Sequence, residues 1–267
     1  MSNTAPEGSV PPATSAVAGG GLRPPGGDGG QGRGVAVVSG ASSGIGAELV
    51  RALRARGTLV VGLSRRPSEA DEHEECDVAD RGAVEAVAAR VLERHPRIDL
   101  LVNNAGVSAR GNYLSVEPEV IERVVRVNYL GSVWPTLAFL PGLGAGSHLV
   151  NVVSVAGTVA GGPYSGSKHA QLAFSRSITV ELAPRGISVH TVNPGFVETE
   201  GFPQRNHLGP ISRFVVDPPF VVRRLLEAVD KDKPEIFAPR WYRVFAVGQA
   251  LAPGTIGRLR SRRRVSG

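Results

Sequence analysis

Short runs of apolar, often β-branched residues recur along this chain, and most are followed by a stretch whose apolar positions fall at helical spacing. Val35–Ser39 (VAVVS) is the first run; glycine-rich residues 40–46 follow, and then Ala47, Leu49, Val50 and Leu53 mark a helix. Residues 58–63 read as a second strand, and 79–94, with Val84, Val87, Val91 and Leu92, as a helix. A strand at 98–103 leads into a long helix at 118–140, which Pro135 is expected to bend. Strand 148–153, helix 164–182 (stopped by Pro184 and Gly186) and strand 187–192 continue the rhythm. Beyond residue 200 the pattern weakens to a helix at 220–229, a last strand at Glu235–Ala238 and an apolar stretch, 241–257, with Trp241, Tyr242 and Phe245, which reads as a C-terminal helix. Parallel neighbours need crossover helices, so the alternation predicts one α/β domain: a doubly wound, mostly parallel, seven-stranded sheet flanked by helices.

The ends differ from the middle. Residues 1–33 are rich in Pro, Gly, Ser, Thr and Ala and read as a disordered leader without signal-peptide character. The body is then 34–240, with 241–267 a helix and basic tail. With 42% hydrophobic and 20% charged residues the chain can bury a substantial core. Its apolar runs stay short of the roughly 18 residues of a membrane helix. Cys76 is the single cysteine, which excludes an internal disulfide and fits a cytoplasmic setting; no metal set is read. Only three of the 30 basic residues are lysines: Lys168, Lys231 and Lys233. The net charge of +6 includes Arg258, Arg260, Arg262, Arg263 and Arg264 in the tail. Those arginines suit either an anionic membrane surface or a solvated, frayed terminus. No recognition motif accompanies them, so nucleic acid is not read as a partner.

Candidate chemistry begins at the first glycines. A helix N-terminus carries unpaired N–H groups and a partial positive charge, and glycines let phosphate approach the backbone. Gly40, Gly44 and Gly46, with Ser42, Ser43 and Ile45 between them, form such a loop at a strand-to-helix junction. At the end of the second strand an acidic residue would favour NAD and an arginine NADP. This chain has Ser64, Arg65 and Arg66 there, which predicts NADP(H) over NAD(H). Exposed loop arginines remain the alternative. Glu69, Asp71, Glu72, Glu74 and Glu75 follow and read as a solvated acidic loop.

Taken together these segments resemble the short-chain dehydrogenase/reductase family, in order and over roughly Val35 to Thr199. The resemblance implies a Rossmann-type fold and a nicotinamide-dependent oxidoreductase acting on a ketone, aldehyde or secondary alcohol. It implies that residues 40–46 hold the cofactor and that Asp77 and Val78 contact its adenine. Asn103-Asn104-Ala105-Gly106 resembles the segment closing over the cofactor, and Pro194-Gly195-Phe196-Val197-Glu198-Thr199 the stretch that holds the carboxamide. Asn128, Ser154, Tyr164 and Lys168 match the family's catalytic tetrad. Tyr164 would then be the general acid/base, Ser154 the donor to the substrate oxygen, Lys168 a donor to the nicotinamide ribose, and Asn128 the support of a water beside Lys168. A free tyrosine has a pKa near ~10; Lys168, four residues on and on the same helix face, is expected to lower it. His169 points off that face and has no role. Homo-dimers or homo-tetramers are common in the family.

Two departures stand out. Between Arg66 and Asp77 there is little room for a crossover helix. Ser154 and Tyr164 are ten positions apart, fewer than is usual in the family, which puts the role of Ser154 in question. The shortened loops motivate an alternative, a cofactor-binding sensor or scaffold without turnover. Substrate choice is assigned to residues 107–115 and 200–220, an apolar region in which Arg205, Arg213 and His207 could meet an acidic group.

Overall fold

The computed structural model describes residues 33–200, 205, 209–255 and 258. Residues 1–32, His207 and the last four tail arginines lie outside the described residues. Arg33, assigned above to the leader, belongs to the body: its guanidinium donates to the carbonyls of Gly57 (2.8 Å) and Thr58 (3.1 Å).

Seven strands form one sheet: β1 (Val35–Ser39), β2 (Leu59–Ser64), β3 (Glu72–Glu75), β4 (Leu100–Asn103), β5 (His148–Val152), β6 (Ser188–Pro194) and β7 (Glu235–Ala238). Their order is β3-β2-β1-β4-β5-β6-β7, and every pairing is parallel. The order reverses between β1 and β4, the place where ligands of open α/β sheets bind beyond the strands' carboxyl ends. Helices α1 (Gly44–Ala55) and α6 (Pro218–Asp230) cover one face; α2 (Arg81–Arg94), α4 (Gly131–Phe139) and α5 (Pro163–Leu182) cover the other.

The two-residue alternation of strand side chains divides the core. Ala36, Val38, Val60, Leu100 and Val102 meet Leu49, Val50, Leu53, Leu225 and Val229 on the first face. Val37, Val61, Leu63 and Leu101 meet Val84, Val87, Val91, Phe139, Ile178 and Leu182 on the second. Each fully buried leucine contributes about 1.5–3 kcal/mol, so a one-residue register slip of any central strand is prohibitive.

The acidic segment after β2 is a strand, not a solvated loop. Glu72–Glu75 (EHEE) pairs with Val61–Ser64 of β2 at the sheet edge. Its carboxylates are tied down from α2: Glu72 to Arg94 and His95, Glu74 to Arg90 and Arg94. An edge strand needs no hydrophobic pattern, and charge blunts its unpaired side. No helix joins β2 to β3, as the short spacing predicts.

The helix read at 118–140 is two helices. α3 (Pro118–Val125) and α4 are joined by one wider, π-type turn at Arg126–Leu130, which contains Asn128, and a tight turn at Leu140–Gly142 ends the run. Pro135 sits inside α4. The C-terminal helix read at 241–257 is interrupted: α7 (Arg243–Leu251) follows a tight turn at Arg240–Tyr242, and residues 253–255 are helical again after Ala252. Val244, Phe245, Val247 and Leu251 on α7 are exposed. Among the described residues no helix is long and apolar enough to cross a membrane.

At the amino end of the sheet, His148 (β5) and His190 (β6) are buried and stacked. The Lys233 carbonyl, 2.9 Å away, fixes His190 Nδ1 as a donor, which leaves Nε2 to accept from His148 Nδ1 at 2.9 Å. Burial lowers the His190 pKa below 6.5, against the Lys233 bond and Asp232, which raise it. The unfolded chain therefore binds this proton more readily than the folded one. Stability contributed by neutral His190 is complete above pH 6.5 and is lost as pH falls from there toward the depressed folded value, at no more than about 1.4 kcal/mol per pH unit. Urea midpoints recorded from pH 7.5 to 5.5 should fall, and His190→Gln should flatten that slope. An unchanged slope would count against His190 as its source.

Candidate active site

A cleft of about 730 Å³ opens along the carboxyl ends of β1, β2, β4, β5 and β6. It begins at the loop from β1 to α1. Gly40 (φ +67°) and Gly44 (φ +55°) adopt left-handed backbone that side chains resist, and a Cβ at Gly40 would lie 2.8 Å from Ala105 Cα. Ser43 begins α1 in extended conformation, makes no side-chain cap, and no acidic residue occupies the first turn. The first-turn N–H groups are thereby left to an anion, which suits a pyrophosphate. Gly40, Ser42, Ser43, Gly44 and Ile45 line the cleft. Gly46 does not: it packs against the Gly40 carbonyl behind the loop.

At one end of the cleft stand Ser64, Arg65, Arg66, Cys76, Asp77 and Val78. The Ser64 hydroxyl donates to the Arg66 carbonyl (2.7 Å) and shapes the turn. The acidic run does not consume these arginines: Glu69 faces Arg51, and Asp71 faces Arg33 and Arg54. Arg65 lies 3.9 Å from Asp77, both well exposed, and Arg66 has no ion-pair partner among the described residues. Burial, with Asp77 and Asp80 adding to it, pushes the Cys76 thiol up to about 11, so it stays protonated.

The floor comes from the turn after β4. Asn104, Ala105 and Gly106 line the cleft, but Asn103 does not. Its side chain points into the protein, donating to the Ser132 carbonyl, Thr136 Oγ1 and Asn151 Oδ1 at 2.8–3.1 Å. The side chain of Asn103, the last residue of the strand, thus faces the helix layer, which leaves only its backbone for the cofactor contact expected of it. Asn104, given no role of its own above, pins the turn to β1 through Ser39 O (3.0 Å) and Gly40 O (3.4 Å), while Ser39 Oγ accepts from the Asn104 and Ala105 N–H groups.

Ser154, Tyr164 and Lys168 line the same cleft, as do Pro194, Gly195, Val197 and Thr199, the last beside Gly44. With the short loop, Ser154 lines the same cleft as Tyr164. Its Oγ accepts from the Ala156 N–H (3.1 Å) and is hydrogen-bonded to the Tyr164 hydroxyl. The Ser165 hydroxyl, donating to the Ala156 carbonyl at 2.8 Å, ties the loop down onto α5. Asn128 stands behind the cleft rather than on it, its amide bridging Val107 N, Val107 O and Ser167 Oγ at 2.8–3.0 Å. Phe196 and Gly195 rest on the buried Tyr242 ring, so the C-terminal segment backs the site. Of the arginines assigned above to the substrate region, Arg205 pairs with Asp217 (2.8 Å) and Arg213 covers Phe214.

The lowering of the Tyr164 pKa expected from Lys168 is not seen. Burial raises the Tyr164 pKa, with the Ser154 hydrogen bond opposing it, and burial pushes the Lys168 ammonium down to about 7. Lys168 Nζ lies 6.0 Å from the tyrosine ring centroid and makes its hydrogen bonds elsewhere. Two groups sharing a dry site both shift toward their neutral forms.

Sheet order, glycine loop and cleft define a dinucleotide-binding α/β protein. The family described as short chain dehydrogenase matches residues 34–207, and the chain belongs to it. A bovine protein, dehydrogenase/reductase SDR family member 7B, is 32% identical over 189 residues, which cover 62% of this chain and 58% of the bovine one. The match thus spans little more than half of that relative. Two solved structures are similar: a Burkholderia cenocepacia short chain dehydrogenase in complex with NADP (29% identity, TM-score 0.73, covering 86% of this chain and 97% of that one) and a Streptomyces avermitilis short-chain dehydrogenase (26%, TM-score 0.72, covering 89% and 98%).

Proposed function

We propose that this protein is an NADP(H)-dependent oxidoreductase acting on a ketone, aldehyde or secondary alcohol, with Tyr164 as its general acid/base. The observation that carries the reading is that one cleft joins an uncapped helix N-terminus and two arginines to a hydrogen-bonded Ser154 and Tyr164 above a buried Lys168. NADP(H), when bound, supplies or accepts the hydride. The protein's own residues handle the proton and the developing charge. Tyr164, kept protonated by burial, holds the proton that a reduced carbonyl oxygen must receive. Ser154, held by the Ala156 N–H, is oriented to donate to that same oxygen. In oxidation Tyr164 takes the proton back.

The phosphate preference follows from Arg65 and Arg66 at the end of β2, and the NADP-bound Burkholderia relative is consistent with it. A guanidinium fork binds a 2′-phosphate; a lone ribose hydroxyl gives it little to hold. The test is a panel of ketones, aldehydes and secondary alcohols run with NADPH, NADH and their oxidised forms in parallel. NADPH should win in kcat/KM, and the Arg65→Ala, Arg66→Ala double variant should reduce the NADPH/NADH ratio by about ten- to a hundredfold, since charge-assisted contacts are worth about 1.5–3 kcal/mol. An unchanged ratio would remove the two arginines from cofactor selection. Tight NADPH binding without turnover across the panel would favour a sensor or scaffold.

A further inference from the structure

The lysine at the centre of the site is held from an unexpected side. Lys168 Nζ donates to the Val152 carbonyl (3.2 Å) and, more closely, to Gln171 Oε1 (2.6 Å). Gln171 lies one helical turn further along α5 and is fully buried, although a primary amide is costly to bury. Its other end is satisfied: Nε2 donates to Ser132 Oγ (2.7 Å) on α4, and that hydroxyl donates to the Asn128 carbonyl (3.3 Å) in the wide turn. The Ser132 backbone is fixed in turn, its carbonyl accepting from Asn103 Nδ2 (3.1 Å) and Thr136 Oγ1 (2.7 Å).

Each donor in this chain points away from Lys168. The ammonium has no acceptor role to play, so the amide must turn its oxygen to Lys168, and Ser132 locks that orientation from behind. Among the described residues, Tyr164, on the same helix, is the titratable group that faces Nζ; β5 contributes a backbone carbonyl, the turn after β4 contributes Gly106, and no carboxylate influences the amine. Burial alone moves it toward the neutral form. A hydrogen bond to the charged form works the other way.

We propose that Gln171 is a positioning residue of the active site: its amide, locked by Ser132, holds the Lys168 amine against β5 beside Tyr164 and favours the ammonium form. The proposal rests on the oxidoreductase reading for its purpose, but the contact itself can be tested without turnover. The small lysine complement makes this direct, because Lys168, Lys231 and Lys233 are the only three. In protein labelled with ¹³C-lysine, the Cε–Hε resonances can be followed against pH without added nucleotide. Gln171→Leu should lower the Lys168 midpoint by about one to two pH units, the worth of one hydrogen bond to a charged group. Gln171→Glu should raise it. Ser132→Ala, which keeps Gln171 but frees its amide, should give a smaller downward shift and guards against a misfolded leucine variant. Lys231 and Lys233 should titrate as in the wild type throughout. The proposal is overturned by a Lys168 midpoint that stays put in both Gln171→Glu and Ser132→Ala, or that moves the same way in Leu and Glu. Where the wild type reduces a carbonyl, the alkaline limb of kcat/KM should move with the midpoint. Absence of turnover in the wild type would sink the oxidoreductase reading and leave the titration result standing.

Discussion

Tyr164→Phe is expected to lower kcat/KM for NADPH-dependent carbonyl reduction by about a hundred- to ten-thousand-fold, the range lost when a positioned general acid is removed. NADPH affinity, read by fluorescence titration, should change little, because the ring and its place on α5 are kept. The physical basis is the raised proton affinity of Tyr164. With its pKa raised by burial, Tyr164 carries at neutral pH the proton that reduction consumes. Neither neighbour can take its place. Ser154 carries a hydroxyl proton of much higher pKa, and Lys168 makes its hydrogen bonds to Val152 and Gln171. Stability should fall by no more than about 0.5–1.5 kcal/mol, one lost hydrogen bond, so urea unfolding separates a catalytic loss from a folding one. Retention of more than about a tenth of the activity would remove Tyr164 as proton donor, since general acid catalysis is worth far more than that.

What could be read in advance divides along physical lines. β1, β2, β4, β5, β6 and β7 were legible because each carries an apolar run, and the sheet interior demands one. β3 was not: EHEE is held by pairing with β2 and by arginines about twenty residues away on α2, and neither leaves a local mark. The break between α3 and α4 was likewise hidden, although Asn128, an amide among apolar neighbours, sits inside it. The site shows the same division. Tyr164 and Lys168 share a helix, so their spacing fixes their relation in space. Asn103 and Asn104 are adjacent and chemically identical, and only the strand's end decides which one turns inward. Gln171 carries no mark in the sequence beyond being a polar position on a helix. Its significance depends on Ser132, 39 residues earlier, and no spacing rule connects them.

The second large effect concerns a glycine that never touches the cleft. Gly46→Ala is expected to destabilise the protein and weaken NADPH binding together. On propensity alone the change should help, since alanine in a helix is worth about 1 kcal/mol over glycine. The packing argues the other way with greater force. A Cβ at Gly46 would be driven into the Gly40 carbonyl oxygen, come within 2.8 Å of its carbon and within 2.6 Å of Asn104 Nδ2. Gly40 cannot yield, because it is pinned by its N–H to the Leu63 carbonyl (2.8 Å) and by Asn104. Overpacking of this kind costs about 1–3 kcal/mol, and more where backbone must move. The helical gain is therefore outweighed, with a net loss on the order of 2 kcal/mol and a Tm lower by about 4–8 °C. The backbone that has to shift is the same backbone that presents N–H groups at the start of α1, so NADPH affinity should drop by about tenfold or more, a 1.4 kcal/mol effect. Calorimetry and nucleotide titration on one preparation test both halves. A stabilised variant with unchanged affinity would mean that α1 can slide away from the loop, and that the close contact between Gly46 and Gly40 does not hold the phosphate-facing turn in shape.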